Sequence, residues 1–210
     1  MFGIENYVLF LLSGIILNIT PGSDTMYILG RSISQGSKAG IMSAMGISSG
    51  SIIHTLLASF GLSVILAKSI IAFNILKYVG AAYLIYLGIK AILSSSDTFI
   101  LNEAKINNMS TIYFQGMLTN LLNPKVALFF IAFLPQFVSA NNNYGSLPFL
   151  LLGITFITTG TIWCIMLAIC SASATEKLRD NKKLLTLMKR CAGIIFIGLG
   201  LKLFSTKVAH

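Results

Sequence analysis

Charge is scarce in this chain, and negative charge scarcest of all. Of 210 residues 10% are charged, and the acids are only six, Glu5, Asp24, Asp97, Glu103, Glu176 and Asp180, against 15 Lys and Arg. A soluble domain has about a quarter of its residues charged. The shortage, together with 55% hydrophobic residues and a mean hydropathy of +0.84, excludes an ordinary soluble fold and makes the bilayer the solvent. Other absences narrow the chemistry. No G-x-x-x-x-G-K-[ST] loop is present to cradle nucleotide phosphates, no H-E-x-x-H, and no intramembrane carboxylate pair or His cluster, so the chain reads as neither an ATPase nor an enzyme, and no cofactor is expected. The three cysteines, Cys164, Cys170 and Cys191, are odd in number. The first two lie six apart, on different faces of one helix, and form no disulfide or metal framework. No Lys or Arg precedes the apolar run that begins at Tyr7, and no small-residue cleavage site follows. A signal peptide is therefore not expected.

What is abundant is long apolar sequence. Six stretches suffice to cross a hydrocarbon core of about 30 Å: Glu5 to Ser32, Ala39 to Leu66, Ser69 to Leu93, Thr111 to Val138, Ser146 to Ser173, and Leu187 to Ser205. Their continuity excludes a β-barrel, and the second and third should form a hairpin near Lys68. The expected architecture is an all-α polytopic domain over residues 1–210. The formal charge of +9 does not indicate nucleic acid, because the basic residues sit in short loops and not on a soluble face. Arg31, Lys38, Lys90, Lys105 and the cluster Lys177, Arg179, Lys182, Lys183, Lys189 and Arg190 fall on one side. Lys68, Lys77, Lys202 and Lys207 fall on the other. The positive-inside bias then places both termini outside the cytoplasm.

The chain also repeats itself. Gly14, Asn18, Thr20, Pro21 and Gly22 in the first span match Gly116, Asn120, Asn123, Pro124 and Lys125 in the fourth, and Gly80 to Gly88-Ile89-Lys90 matches Gly193 to Gly200-Leu201-Lys202. Two halves of three spans emerge, 1–93 and 111–210, joined by a cytoplasmic linker at 94–110. Since three is odd, the second half enters the membrane upside down, and the fold class expected is a pair of inverted repeats with broken first and fourth helices.

Candidate chemistry collects at those breaks. Asp24 is the only acid expected deep in the membrane, where a carboxylate costs about 2.5–3.5 kcal/mol, so it needs a partner or a role. Capping the half-helix that follows the break is one such role, and binding is the other. Pro21 lacks an N–H and frees the carbonyl of Leu17; Pro124 does the same for Asn120. A single such break would read as a kink. Two breaks, each with an Asn and an adjacent charge, read as a site. A substrate carboxylate could dock on the N–H groups of Gly22, Ser23 and Asp24 while Asp24 or a freed carbonyl takes a substrate ammonium. The substrate-binding candidates are thus Asn18, Thr20, Pro21, Gly22, Ser23, Asp24, Asn120, Asn123, Pro124 and Lys125, with Asp24 and Lys125 expected to approach each other between the repeats. Asp24 and His54 are the proton-coupling candidates, although a lone His in a bundle more often packs. Gly46 and Gly50 with Ser43, Ser48, Ser49 and Ser51 form a small-residue packing face, and Thr155, Thr158, Thr159 and Thr161 could line a cavity wall.

Asn18-Ile19-Thr20-Pro21-Gly22-Ser23-Asp24, the run Gly36, Gly40, Gly46, Gly50 and His54, and Gly116 through Asn120 to Asn123-Pro124-Lys125 and on to Phe133-Leu134-Pro135-Gln136-Phe137-Val138 together resemble the lysine-exporter superfamily of LysE/RhtB type. The resemblance covers essentially the whole chain. It implies amino-acid efflux across a bacterial inner membrane, drive by the proton motive force, and self-association as a homodimer. The superfamily pattern T-P-G-P-D has Ser23 in place of its second proline here. One deep acid suits a zwitterion better than a dication, so a small neutral amino acid is the expected substrate. A heavy-metal cation exporter of the same superfamily is the alternative, disfavoured by the scattered cysteines. So is a non-transporting scaffold subunit that uses the glycine faces for partners.

Overall fold

A computed structural model describes residues 2–62, 70–93, 108–139 and 142–172, with further helical positions at 190, 193–194, 197–198, 200–201 and 204. The expected hairpin at Lys68, nearly all of the 94–110 linker, and the basic cluster from Lys177 to Lys189 lie outside the described residues. The described residues are helical, joined by turns and one isolated antiparallel bridge. The helices are α1 (Tyr7–Ile19), α2 (Ser23–Leu57), α3 (Ile70–Leu93), α4 (Met109–Leu121), α5 (Pro124–Leu128) and α6 (Leu147–Ala172). Among the described residues two helices are long and apolar enough to cross a membrane, Ser23–Gly61 and Leu147–Ser171, and the pair Met109–Leu121 and Pro124–Phe137, bent by 48°, makes a third if it is taken as one span.

Helix α2 is not one straight rod. Gly36 has φ 81° and ψ 175°, a left-handed conformation that a side chain would strain, and the chain reverses there. Ile28 from the arm 23–35 shares an apolar cluster with Ala44 and Ile47 from the arm 37–57. Gly40 lies so close to Ser32 Oγ that a Cβ would not fit between them. The arm 23–35 therefore continues α1 beyond the break at residues 20–22, and the arm 37–57 returns beside it.

The second broken helix is built in the same way. Asn108 caps α4, its side chain accepting from Thr111 N at 2.8 Å. After Leu122, Asn123 caps α5 with Pro124 in the first turn, where the missing N–H costs nothing. The chain then passes through a π-helical turn, Phe129–Phe133, and a 3₁₀ turn, Leu134–Phe137.

The two broken rods run antiparallel. Glu5 N donates to Phe137 O at 2.9 Å, Ser139 N donates to Gly3 O at 2.8 Å, and at the far end Arg31 Nη2 donates to Gln115 Oε1 at 2.8 Å. The breaks meet between these ends. A like relation joins the other landmark pair: Gly88 and Gly193 approach so closely that a Cβ on either would sit 2.6 Å from the other's carbonyl oxygen, and a Cβ on Gly200 would sit 2.9 Å from that of Ala81. Helix α3 also packs on the π-helical turn, and α6 packs against α1 and α2.

Candidate functional site

Small residues let the arm 37–57 press onto α4. A Cβ on Gly46 would collide with the carbonyl of Tyr113, and one on Gly50 would sit 2.7 Å from Asn120 Oδ1. This close approach carries the Asn120 side chain, 1% exposed, to the middle of the bundle. The glycine face thus does the packing expected of it, and it also aims a functional amide.

At the breaks the two halves satisfy each other. Asp24, in the first turn after Pro21, accepts from Asn120 Nδ2 at 2.7 Å through Oδ2 and from Asn123 Nδ2 at 2.9 Å through Oδ1. Ser23 Oγ adds a longer contact to Oδ1, 3.3 Å. In the opposite direction Lys125 Nζ donates to Leu17 O at 3.1 Å and Thr20 O at 2.9 Å. Leu17 O is the acceptor that Pro21 frees by having no N–H to offer it. Asp24 and Lys125 line the same small cavity, but the direct pairing expected of them is replaced by this exchange of hydrogen bonds. Short bonds from charged groups to neutral amides and carbonyls meet the need for compensation that burial creates.

The remaining candidates are placed as follows. Asn18 lines the cavity and donates from Nδ2 to Thr159 Oγ1 at 3.3 Å. Thr20 turns its hydroxyl back onto Ile16 O at 2.6 Å and offers its carbonyl to Lys125. Pro21 and Gly22 form the extended link, and a Cβ on Gly22 would lie 3.3 Å from Lys125 Nζ. Asn123 holds Asp24 with its amide nitrogen while its Oδ1 accepts from Lys125 N at 3.0 Å; Pro124 fixes that turn. The carbonyl of Asn120, freed by Pro124, accepts from Asn123 N at 3.0 Å and lies 3.4 Å from His54 Nε2. His54 is buried and stacks on Phe130, ring centroids 5.6 Å apart. It is a neighbour of the site and not part of the cavity wall.

The cavity has a volume of about 30 Å³, the share of liquid taken by one water molecule. An amino acid enters only if the walls move. Sequence reasoning assigned Ser48 and Ser51 to packing and missed Gly160, Cys164 and Phe156 altogether, yet all five line the cavity beside Thr161. Ser48 Oγ and Thr161 Oγ1 are 2.7 Å apart, and Ser51 Oγ donates to Asn120 Oδ1 at 3.2 Å. The available signal was the polar patch around Gly160 within an otherwise apolar helix.

Two unlike plugs flank the cavity. Toward the N-terminal end of α1, Phe10, Phe129, Phe133 and Phe137 stack against one another, with Phe156 on Phe129 at 4.6 Å. Toward Gly36 the closure is polar. Tyr27 Oη donates to Ile112 O at 2.8 Å, and Arg31 lies over the Tyr27 ring at 5.5 Å while bound to Gln115. Arg31, counted from sequence among the loop charges, is therefore buried, at 9% exposure. Among the described residues no three His, Cys, Asp or Glu side chains are grouped to hold a metal ion.

The geometry can be set beside known proteins. No solved structure matches the chain. An uncharacterized membrane protein of Bacillus subtilis, YrhP, is 36% identical over 88% of this chain and 91% of its own length. Leucine efflux proteins of Klebsiella pneumoniae and Salmonella choleraesuis are each 28% identical over 96% of both chains. The family model described as LysE type translocator matches residues 15–207, which include both breaks, Asp24 and Lys125. A family of translocators, not enzymes, accounts for a chain whose buried charges hold broken helices together: the protein belongs to the LysE type translocator family.

Proposed function

We propose that this translocator is a secondary exporter of small neutral amino acids, driven by the proton motive force across a bacterial inner membrane. In this reading six spans form two inverted repeats, 1–93 and 111–210, joined by a cytoplasmic linker at 94–110, with both termini outside and the protein self-associated as a homodimer. The observation that carries the reading is the crossed contact at the breaks, in which Asp24 binds the second break and Lys125 the first. Broken helices that meet at mid-depth and expose backbone polarity are how membrane transporters bind small charged solutes. Antiparallel packing of α1 on the second broken rod, and of α3 on Gly193 and Gly200, is the relation that inverted repeats produce.

The drive and the substrate rest on physical argument. Without a nucleotide-binding loop, a transmembrane gradient is the available energy source. Asp24 is the cavity-lining acid that a proton could neutralise, loosening its hold on Asn120 and Asn123. The aromatic plug on one side and the Tyr27–Arg31–Gln115 closure on the other give rocking two separate gates. The relatives named as leucine efflux proteins favour an aliphatic side chain, in keeping with the cavity's Leu17, Ile47, Val126 and Ile157.

Liposomes containing the purified protein and loaded with a panel of labelled amino acids, leucine first, provide the test. Efflux of neutral members should depend on an imposed pH gradient and disappear in Asp24→Asn. Absence of efflux from correctly inserted protein overturns the reading, in favour of a cation exporter or a scaffold.

A further inference from the structure

Lys125 donates to the carbonyls of Leu17 and Thr20. These two acceptors are 3.1 and 2.9 Å from Nζ, and Leu17, whose pairing N–H Pro21 has removed, lines the cavity together with Lys125. A primary ammonium with its donors on backbone carbonyls is chemically the same group as the α-ammonium of an amino acid. The seat is therefore built for an ammonium, and the protein's own side chain is sitting in it.

We propose that Lys125 is a tethered occupant of the substrate's ammonium site, and that it is released only by a ligand whose carboxylate gives it a new partner. This rests on the amino-acid reading and specifies how that class is recognised. Asp24 and Lys125 bring one negative and one positive charge to the cavity, so a zwitterion leaves the total at zero, whereas an amine adds a charge and an N-acylated acid subtracts one. Asp24 accepts one bond from each of Asn120 and Asn123 and a longer one from Ser23 Oγ, and a carboxylate can accept about four. It therefore keeps an acceptor position that can turn toward the incoming ammonium, whose seat on the Leu17 and Thr20 carbonyls lies beyond its direct reach while Lys125 fills it. Lys125, displaced from them, turns onto the ligand's carboxylate. The flexible stem of lysine permits this exchange, while the neutral amides of Asn120 and Asn123 keep Asp24 in place throughout. An amine alone offers Lys125 no anion and cannot displace it; an N-acetyl amino acid offers an anion but nothing to fill the seat.

Equilibrium binding of labelled leucine to the purified full-length protein in nanodiscs tests this, with isopentylamine, the decarboxylated analogue, and N-acetyl-leucine as competitors. Wild type should bind leucine and prefer it to isopentylamine at least tenfold, with N-acetyl-leucine weaker still. In Lys125→Gln and Lys125→Met the seat is open and the carboxylate has no cation to meet, so the preference should fall to parity or reverse. Lys125→Arg should keep the carboxylate requirement. Retention of the tenfold preference in Gln and Met variants that elute as monodisperse protein overturns the proposal while leaving the exporter reading standing. Failure of wild type to bind leucine or any other amino acid of the efflux panel overturns both.

Discussion

The bond from Asn120 to Asp24 should be measurable as a coupling energy. Asn120 is fully enclosed, and its two polar atoms do different work: Nδ2 donates to Asp24 Oδ2 at 2.7 Å, and Oδ1 accepts from Ser51 Oγ at 3.2 Å. Hydrogen bonds to charged groups contribute about 1.5–3 kcal/mol, and neutral ones about 0.5–1.5 kcal/mol. Asn120→Ala loses both, together with the packing of the amide against Gly50. Asp24→Ala loses the charged bond from the other side, and the double variant loses it only once. In a double-mutant cycle the packing and Ser51 contributions cancel, leaving a coupling of about 1.5–3 kcal/mol. The value should lie near the low end, because the adjoining cavity has room for a water that can take the vacated place on the carboxylate. Reversible unfolding by sodium dodecyl sulfate in mixed micelles, followed by circular dichroism, gives the four stabilities. If the two single changes simply add to within about 0.5 kcal/mol, the carboxylate is not held by this amide and the crossed arrangement is wrong.

Two further predictions concern packing and access. Gly46→Ala should destabilise by about 1–3 kcal/mol, as overpacking does, because its methyl meets the backbone carbonyl of Tyr113. The same change at Gly14, where the nearest atom is a Phe156 ring carbon at 3.4 Å, should be neutral or stabilising in the same unfolding assay; equal effects would refute the close approach. Cys164 lines the cavity, so with Cys170 and Cys191 replaced by Ser it should resist a membrane-impermeant thiol reagent at rest. Labelling should accelerate once substrate and a pH gradient drive turnover, as read by mass spectrometry. A rapid reaction at rest would mean that the cavity is open.

Much of this was legible because its causes are local. A proline interrupts a helix whatever surrounds it, so Pro21 and Pro124 marked both breaks, and one acid and one base in apolar sequence stood out as Asp24 and Lys125. Their partners were not legible. Opposite charges suggested a direct pair, but register and depth decide which atoms meet, and neutral donors in the opposite half answered instead. Arg31 looked like a loop charge because it lies five residues before the turn. Its long side chain instead folds over Tyr27 and reaches α4. The wall supplied by α6 was legible only in part: Thr161 stood among four threonines expected to line a cavity, but threonines readily bond their own helix, as Thr159 does with Thr155 O at 3.0 Å, and nothing local singled out Thr161.

The crossing of bonds between the breaks also has a consequence in time. Asp24 leaves the ribosome 96 residues ahead of Asn120; at about 5–20 residues per second that is an interval of roughly 5–20 s. Throughout it the Asp24 carboxylate is without its amide donors, which have not yet emerged, and an unpaired carboxylate placed in the bilayer costs about 2.5–3.5 kcal/mol. The carbonyls of Leu17 and Thr20 wait similarly for Lys125. Neither half is a finished object, and the arrival of the second completes the first.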